Sequence, residues 1–387
     1  MVGQIMGKNI LILGGGFGGL AAAHELRKGL EPEHKIAVVD QQQLFFMGLT
    51  KLWVLDGTRA VGEGPGDRTL LAKAGIDFIE GEVTSIDLKG KLVQVGKRNL
   101  GFDYLIIALG ADYSPAATPG FSKYAKNLYL ESGCAQIRDI LRATVAGTIT
   151  ILVCGVPFKC PPAPYEGTMI IDAFLRKRGV REKVKLQVIT PEPHPLTILG
   201  AEAGKVVTGL LEEKGIQYYP SEKVKEIRPK SVLTEGGKEF SHDLVFAVPV
   251  HVVPSVIREA GLSDQSGWIP VDPRTLATQY AGVYAIGDCA GPKTPKGPLL
   301  PRAGVLAEEQ GKVVAGNLIH EIHGDGRRDR FDGNGVCFME VGDGKAAPVR
   351  ANFYAEPNPK WELTSPSEGG FLEKRRFLEE RMAAWFS

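Results

Sequence analysis

No apolar run in the 387-residue sequence reaches the ~18 residues that a membrane-spanning helix requires. Neither sign of charge is in excess. The 46 Lys and Arg stand against 45 Asp and Glu, so no broad attraction to nucleic acid is implied. Cysteine is scarce, with five residues scattered at Cys134, Cys154, Cys160, Cys289 and Cys337. An odd, dispersed set argues against a secreted disulfide framework. No pair has CxxC spacing, which argues against structural zinc. The stretch "NILILGGGFGGLAAA" has the apolarity of a signal peptide but no basic segment with a matching cleavage site. The chain therefore reads as not exported by a cleaved signal, and as cytoplasmic or peripheral on a membrane. Glycine is abundant, at 48 residues, as folds with many tight strand-to-helix turns require.

Strand-like and helix-like segments alternate along the chain. "KNILILG" leads through a glycine turn into a helix over 20–28, and "KIAVVD" follows. "DFIEGEV", "KLVQV" and "FDYLIIALG" read as further strands. A helix is predicted over 134–147. A second β-α-β unit runs from "TITILVC" through the helix "GTMIIDAFLRKRG" to "KVKLQVIT". "GKVVTGLLEEKG", with apolar residues at i, i+3 and i+4, and "RAGVLAEEQGKVVAGNLIHEI" read as helices. Residues 324–334 read as a polar linker, and a charged helix over 371–386 closes the chain. This alternation predicts an α/β fold with mostly parallel sheets, and the length suggests two or three domains.

Gly14-x-Gly16-x-x-Gly19, with Phe17 and Gly18 inside it, lies between a strand and a helix. Gly14 permits a tight turn, Gly16 lets a pyrophosphate approach, and Gly19 lets helix and strand pack. The helix N-terminus offers N–H groups and a positive dipole end to phosphates. Asp40, ending the next strand, is placed to bond a ribose hydroxyl. "FDYLIIALGA", with Ala108 and Gly110, and "TQYAGVYAIGDCA", with Gly287 and Asp288, resemble the other two signatures of the two-dinucleotide flavoproteins. The resemblance covers about residues 1–320 and implies FAD. Asp288 would bind the ribityl chain, and the helix starting near Pro301-Arg302 would aim its N-terminus at the flavin pyrimidine. It implies two Rossmann-like domains: an FAD-binding one from 1–115 and 265–322, and a second from 116–264. The remaining 323–387 would form a small C-terminal region.

At the second unit, where NADH-using relatives carry another GxGxxG, the chain reads "VCGVPFKCPPAPYE". Gly155 stands alone among Pro157, Pro161, Pro162 and Pro164. Proline lacks an N–H and fixes φ, so this turn is not expected to cradle a pyrophosphate. Cys160 followed by Tyr165-Glu166 resembles the sulfide dehydrogenase branch: the sulfide:quinone oxidoreductases and the flavoprotein subunit of flavocytochrome c sulfide dehydrogenase. Cys337 in "GNGVCFMEVG" resembles that branch's second redox cysteine. The resemblance implies a Cys160–Cys337 disulfide that sulfide attacks at Cys160, with Cys337 passing electrons to the flavin. Glu166 would move protons if its pKa is raised. Cys134 is a candidate third cysteine and His194 a candidate proton carrier; each is otherwise structural or surface. Cys154 and Cys289 read as core, and Lys293 and Lys296 as solvated.

The segment "DQQQLFFMGLTKLW" carries no cysteine from 41 to 60, so FAD is expected to be non-covalent. The acceptor is expected to be a quinone. The alternatives are a cytochrome or a flavin-linked redox sensor without sulfide turnover. In the tail, Phe371, Leu378, Met382 and Trp385 share a face, with Lys374, Arg375, Arg376 and Arg381 as charge. Such a helix either lies on a lipid surface or packs on the body or on a second copy of the chain in a homo-oligomer.

Overall fold

The computed structural model describes residues 7–387. Two five-stranded parallel sheets form its frame. The first has the order Val283–Ala285, Tyr104–Ile107, Asn9–Leu13, Lys35–Asp40, Asp77–Glu80, with Ile10 paired to both Ile36 and Tyr104. Ile10, Leu11, Ile12 and Leu13 are all buried, as a parallel strand covered on both faces requires. The second sheet runs Ala125–Asn127, Leu244–Val248, Gly147–Val153, Val184–Ile189, Gln217–Tyr219. Each sheet carries helices on one face. On the other lies a small antiparallel sheet, Val83–Asp87, Leu92–Val95 and Arg98–Gly101 in the first unit, and Val224–Ile227, Ser231–Thr234 and Glu239–Ser241 in the second.

A third sheet, Asn334–Gly342, Lys345–Asn352 and Lys360–Leu363, is antiparallel and joins the two units. Its first strand alternates sides as a strand must. Phe338 packs into the core of the first unit, while Met339 and Val341 fill that of the second. Cys337 touches both cores from this seam.

Three boundaries differ from expectation. The helix expected over 134–147 spans Glu131–Ala143, because Thr144 is already extended and Gly147, at φ +118°, opens the next strand. The polar linker ends one residue early, at Gly333, because the strand begins at Asn334, paired with Asn352. The last helix spans Glu368–Phe386, its start fixed by Ser367 Oγ accepting the Gly370 N–H at 3.0 Å.

The lipid-facing reading of that helix is overturned. Leu378 and Trp385 are buried, together with Phe377 and Phe386. Trp385 packs edge-on against Phe17 and Phe45, at 5.4 and 5.8 Å between ring centroids. Lys374, expected to meet lipid phosphates, is 1% exposed and bound to two carboxylates. The apolar face is spent on the core, and Arg375 and Arg376 remain in solvent. Among the described residues no helix is long and apolar enough to cross a membrane.

Candidate active site

The first glycine turn is built around close backbone contacts. Gly14 has φ +102°, and a Cβ there would lie 2.2 Å from the Ala108 carbonyl oxygen. A Cβ on Gly19 would lie 1.9 Å from the Gly14 oxygen, whereas Gly16 has nothing within 4 Å. The turn is thus closed where strand and helix meet and open where a phosphate would approach. Gly18 lets the helix Phe17–Gly29 pack on Gly304–His323, since its Cβ would meet the Ala307 oxygen at 2.9 Å. Asp40 accepts the N–H groups of Gly15 and Gln42 at 2.8 and 3.0 Å. Arg68, which opens a short helical turn after Asp67 and which sequence reasoning missed, donates to the Gly15 oxygen through Nε and Nη2 and lies 3.3 Å from Asp40. Gly110 turns the strand end at φ +72°, and Gly287 does so at φ +70° while donating its N–H to Gln310 Oε1 at 2.7 Å. The open glycine, the helix N-terminus and the acid ending the second strand fit a dinucleotide.

A cavity of about 210 Å³ opens beside this turn, lined by Lys51, Lys159, Cys160, Glu166, Asp288 and Cys337, with Gly304 at the start of its helix. The fold therefore brings the two distant cysteines and the glutamate to one chamber. Both cysteines are free thiols here, so the bridge that the resemblance implies between them is not formed in this structure. Cys160 holds a left-handed backbone, φ +52°, which a non-glycine residue adopts only when its surroundings impose it. Its N–H donates to the Arg302 oxygen at 2.7 Å, and its carbonyl accepts from Ala163 N and Tyr129 Oη at 2.9 and 3.2 Å. The helix Ala163–Lys177 starts directly after, which puts Glu166 in its first turn. Glu166 is 2% exposed. Its Oε1 accepts the Glu340 N–H at 3.0 Å and lies 3.3 Å from Lys374 Nζ. Lys374 also pairs with Glu340, whose Oε1 accepts Trp53 Nε1 at 2.7 Å.

Burial dominates the electrostatics. It pushes the Cys160 thiol well above its ordinary value, helped by Glu166 and Cys337 and opposed by Lys374. It pushes Cys337 up to about 12, with Glu166 adding to the shift. Glu166 is raised by burial against the pull of Lys374, the direction that favours a carboxyl as proton acceptor. Burial works against the Lys374 ammonium, but Glu166 and Glu340 outweigh it and raise its pKa. Lys51, donating to the Tyr129 oxygen at 3.0 Å, is lowered to about 8 by burial and by neighbouring Lys159. Burial also raises Asp288, opposed by Lys159 and Arg302.

The remaining candidates lie elsewhere. Cys134 is buried in the second core, its Sγ donating to the Leu128 oxygen, and does not line the chamber. Cys154 and Cys289 are core residues. His194 is half-buried with Nδ1 at the Pro195 oxygen, outside the chamber, and Lys293 and Lys296 are exposed. The Arg302 main chain borders Cys160, but its guanidinium turns away and stacks over Trp268 at 3.6 Å. In the second unit residues 154–162 separate strand from helix, where Gly14–Gly16 suffice in the first. No helix N-terminus therefore stands at that strand end as one does at Gly16.

Residues 8–311 match the family model described as pyridine nucleotide-disulphide oxidoreductase. The chain is 26% identical over 374 residues to a sulfide-quinone reductase of Aquifex aeolicus, covering 91% of this chain and 84% of that one. It is 24% identical over 346 residues to a mitochondrial sulfide:quinone oxidoreductase of Dictyostelium discoideum, covering 85% and 74%. The solved sulfide:quinone oxidoreductase from Aquifex aeolicus superposes with a TM-score of 0.86 at 23% identity, over 96% of this chain and 90% of that one.

Proposed function

We propose that this chain, which belongs to the pyridine nucleotide-disulphide oxidoreductase family, oxidises sulfide and passes the electrons through FAD to a quinone. One observation carries the reading: Cys160, Cys337 and Glu166 share a single chamber beside the first glycine turn. The relatives named for sulfide and quinone support the same substrate and acceptor. FAD would be held without a covalent bond by the turn Gly14–Gly19, by Asp40, Ala108, Gly110, Gly287 and Asp288, and by the main chain at Arg302. Cys160 and Cys337 are the only cysteines lining the chamber among the described residues, and both are needed for the redox step. Acid precipitation should therefore release the flavin into solution; flavin retained in the pellet would contradict non-covalent binding. The division into a discontinuous FAD-binding domain, 1–115 with 265–322, a second domain, 116–264, and a C-terminal region, 323–387, goes with this reading. It is supported by the strand Val283–Ala285 returning to the first sheet.

The reaction starts from a Cys160–Cys337 disulfide. Lys51 and Lys159 draw hydrosulfide into the chamber by charge. Hydrosulfide attacks Cys160 Sγ, the S–S bond breaks, and the products are a persulfide on Cys160 and a thiolate on Cys337. Glu166 takes the persulfide proton and is neutralised by it, and its later release of that proton to solvent restores the carboxylate beside Lys374. Cys337 then bonds to the outer sulfur of the Cys160 persulfide, and the two electrons this releases would go to bound FAD, which supplies the two-electron acceptor, and from it to the quinone.

Anaerobic stopped-flow mixing with sulfide should bleach the flavin, and a soluble quinone analogue should restore its colour. A flavin indifferent to sulfide would refute the reading. Recovery with cytochrome c but not with quinone would reassign the acceptor alone.

A further inference from the structure

Glu340 lies three residues beyond Cys337 on the strand that crosses the seam, and it bears on Glu166 in two ways. Its N–H donates to Glu166 Oε1 at 3.0 Å. Its side chain, on the same side of the strand as Phe338, meets the last helix. There Phe338 packs on Phe377, and Lys374 Nζ lies 2.5 Å from Glu340 Oε1 and 3.3 Å from Glu166 Oε1. We propose that Glu340 is a positioning residue for Glu166: the N–H fixes one carboxylate oxygen, and the side chain engages the Lys374 charge that would otherwise pair with Glu166 alone. The inference deepens the reaction proposed above and rests on Glu166 as its proton acceptor.

Two carboxylates and one ammonium, all buried, leave one negative charge uncompensated, and a buried carboxylate in that position favours binding a proton. The geometry decides which of the two takes it. Lys374 stands closer to Glu340, whose Oε1 also accepts Trp53 Nε1 at 2.7 Å, so Glu340 has the stronger claim on the ammonium. At Glu166 only Oε1 is engaged. None of the described residues donates to Oε2, which is left to receive a proton. Burial raises Glu166, Lys374 opposes, and the Glu340 charge adds to the rise.

Other charged and titratable groups face the cluster without bonding to either carboxylate. Lys51, Lys159 and Asp288 share the chamber with Glu166, Tyr129 feels the Glu166 charge, and Asp56 feels that of Glu340. Among the described residues Lys374 is thus the one cation bonded to the pair. The Glu166 charge also raises the thiols of Cys160 and Cys337, and the interaction is reciprocal. A thiolate set free at Cys337 raises Glu166 in turn. Proton uptake at Glu166 therefore strengthens as the disulfide opens, while Glu340 keeps Lys374 from cancelling the effect.

Infrared titration of the full-length, FAD-loaded protein reads the Glu166 proton directly, the protonated-carboxyl band being assigned by its loss in Glu166→Gln. Glu340→Gln keeps an oxygen for Trp53 Nε1 and leaves the Lys374 charge to Glu166. The band should then titrate at least about one pH unit lower than in wild type, the shift that a charge at this range produces. Glu340→Met, which removes the charge without an amide in its place, should lower it likewise, so either variant that retains flavin decides the matter. Sulfide-driven flavin reduction should follow the band: the limb of the rate that rises with pH should move down by the same amount. A purely structural role would lower the rate at every pH and leave the limb in place. A band that stays where it is, or moves up, in the flavin-loaded variants would overturn the proposal. The titration needs no sulfide. A shifted band in a protein inert to sulfide would keep the tuning and lose the reaction; bleaching by sulfide with an unmoved band would do the reverse.

Discussion

Cys337 sits where a strand crosses the seam between two cores, and burial holds its thiol at about 12. A thiol so poised is a poor nucleophile at neutral pH by simple ionisation. It becomes a thiolate by being expelled from a disulfide, which is why the bridge to Cys160 matters more than either thiol alone. Cys337→Ser should abolish sulfide-driven flavin reduction in stopped-flow while leaving flavin content intact; near-normal reduction would remove the disulfide from the mechanism. Glu192 gives a second prediction at this scale. Its folded pKa, about 7, lies above its ordinary 4.5, so between those values the folded state binds more protons than the unfolded one. Stability should then fall as pH rises through this window, by about 3 kcal/mol at most, and the loss should be complete above it. Glu192→Gln keeps an oxygen for the Tyr165 hydroxyl and cannot ionise. Urea unfolding should show it equal to wild type at about pH 5 and more stable by up to that amount at about pH 8. An equal response of the two proteins to pH would place the titration elsewhere.

The C-terminal helix shows what an element's own sequence conceals. Its apolar stripe and its basic residues are those of a surface-lying helix, and its partner cannot be read from that pattern. The structure buries the stripe on Phe17 and Phe45 and carries Lys374 inward to Glu166 and Glu340. These three charges lie far apart in the chain, and no local periodicity marks them as a cluster. Cys160 and Glu166 were legible for the opposite reason, since a short proline-fixed turn and the first turn of one helix hold both. Lys374→Met should leave two buried carboxyls facing each other without a counter-charge. It should destabilise the protein by about 3–5 kcal/mol, the cost of breaking a buried pair from one side, and chemical denaturation measures this directly. Adding Glu340→Gln should recover part of the loss. A destabilisation below about 1 kcal/mol would mean that the cluster behaves like a surface pair.

At the scale of the whole molecule the two halves echo each other, each a five-stranded parallel sheet with helices on one face and a small antiparallel sheet on the other. That architecture was legible because parallel strands buried on both faces leave continuous apolar runs. The role of the third sheet was not, because a strand that serves two cores alternates between them and shows no single apolar face. What distinguishes the halves is the connection after the first helix-linked strand. Gly14–Gly16 set a helix N-terminus at the strand end, while residues 154–162 interpose a proline turn with Cys160 at positive φ. The second turn thus sets no helix N-terminus directly at the strand end, where the first offers one to a pyrophosphate, and it carries Cys160. The enzyme should accordingly discriminate between reductants by site rather than by driving force. Anaerobic titration of the oxidised holoenzyme with NADH should leave the flavin spectrum unchanged over minutes, while sulfide bleaches it. Rapid bleaching by NADH would show that the proline turn still admits a dinucleotide, and the assignment of that face to sulfur chemistry would fall with it.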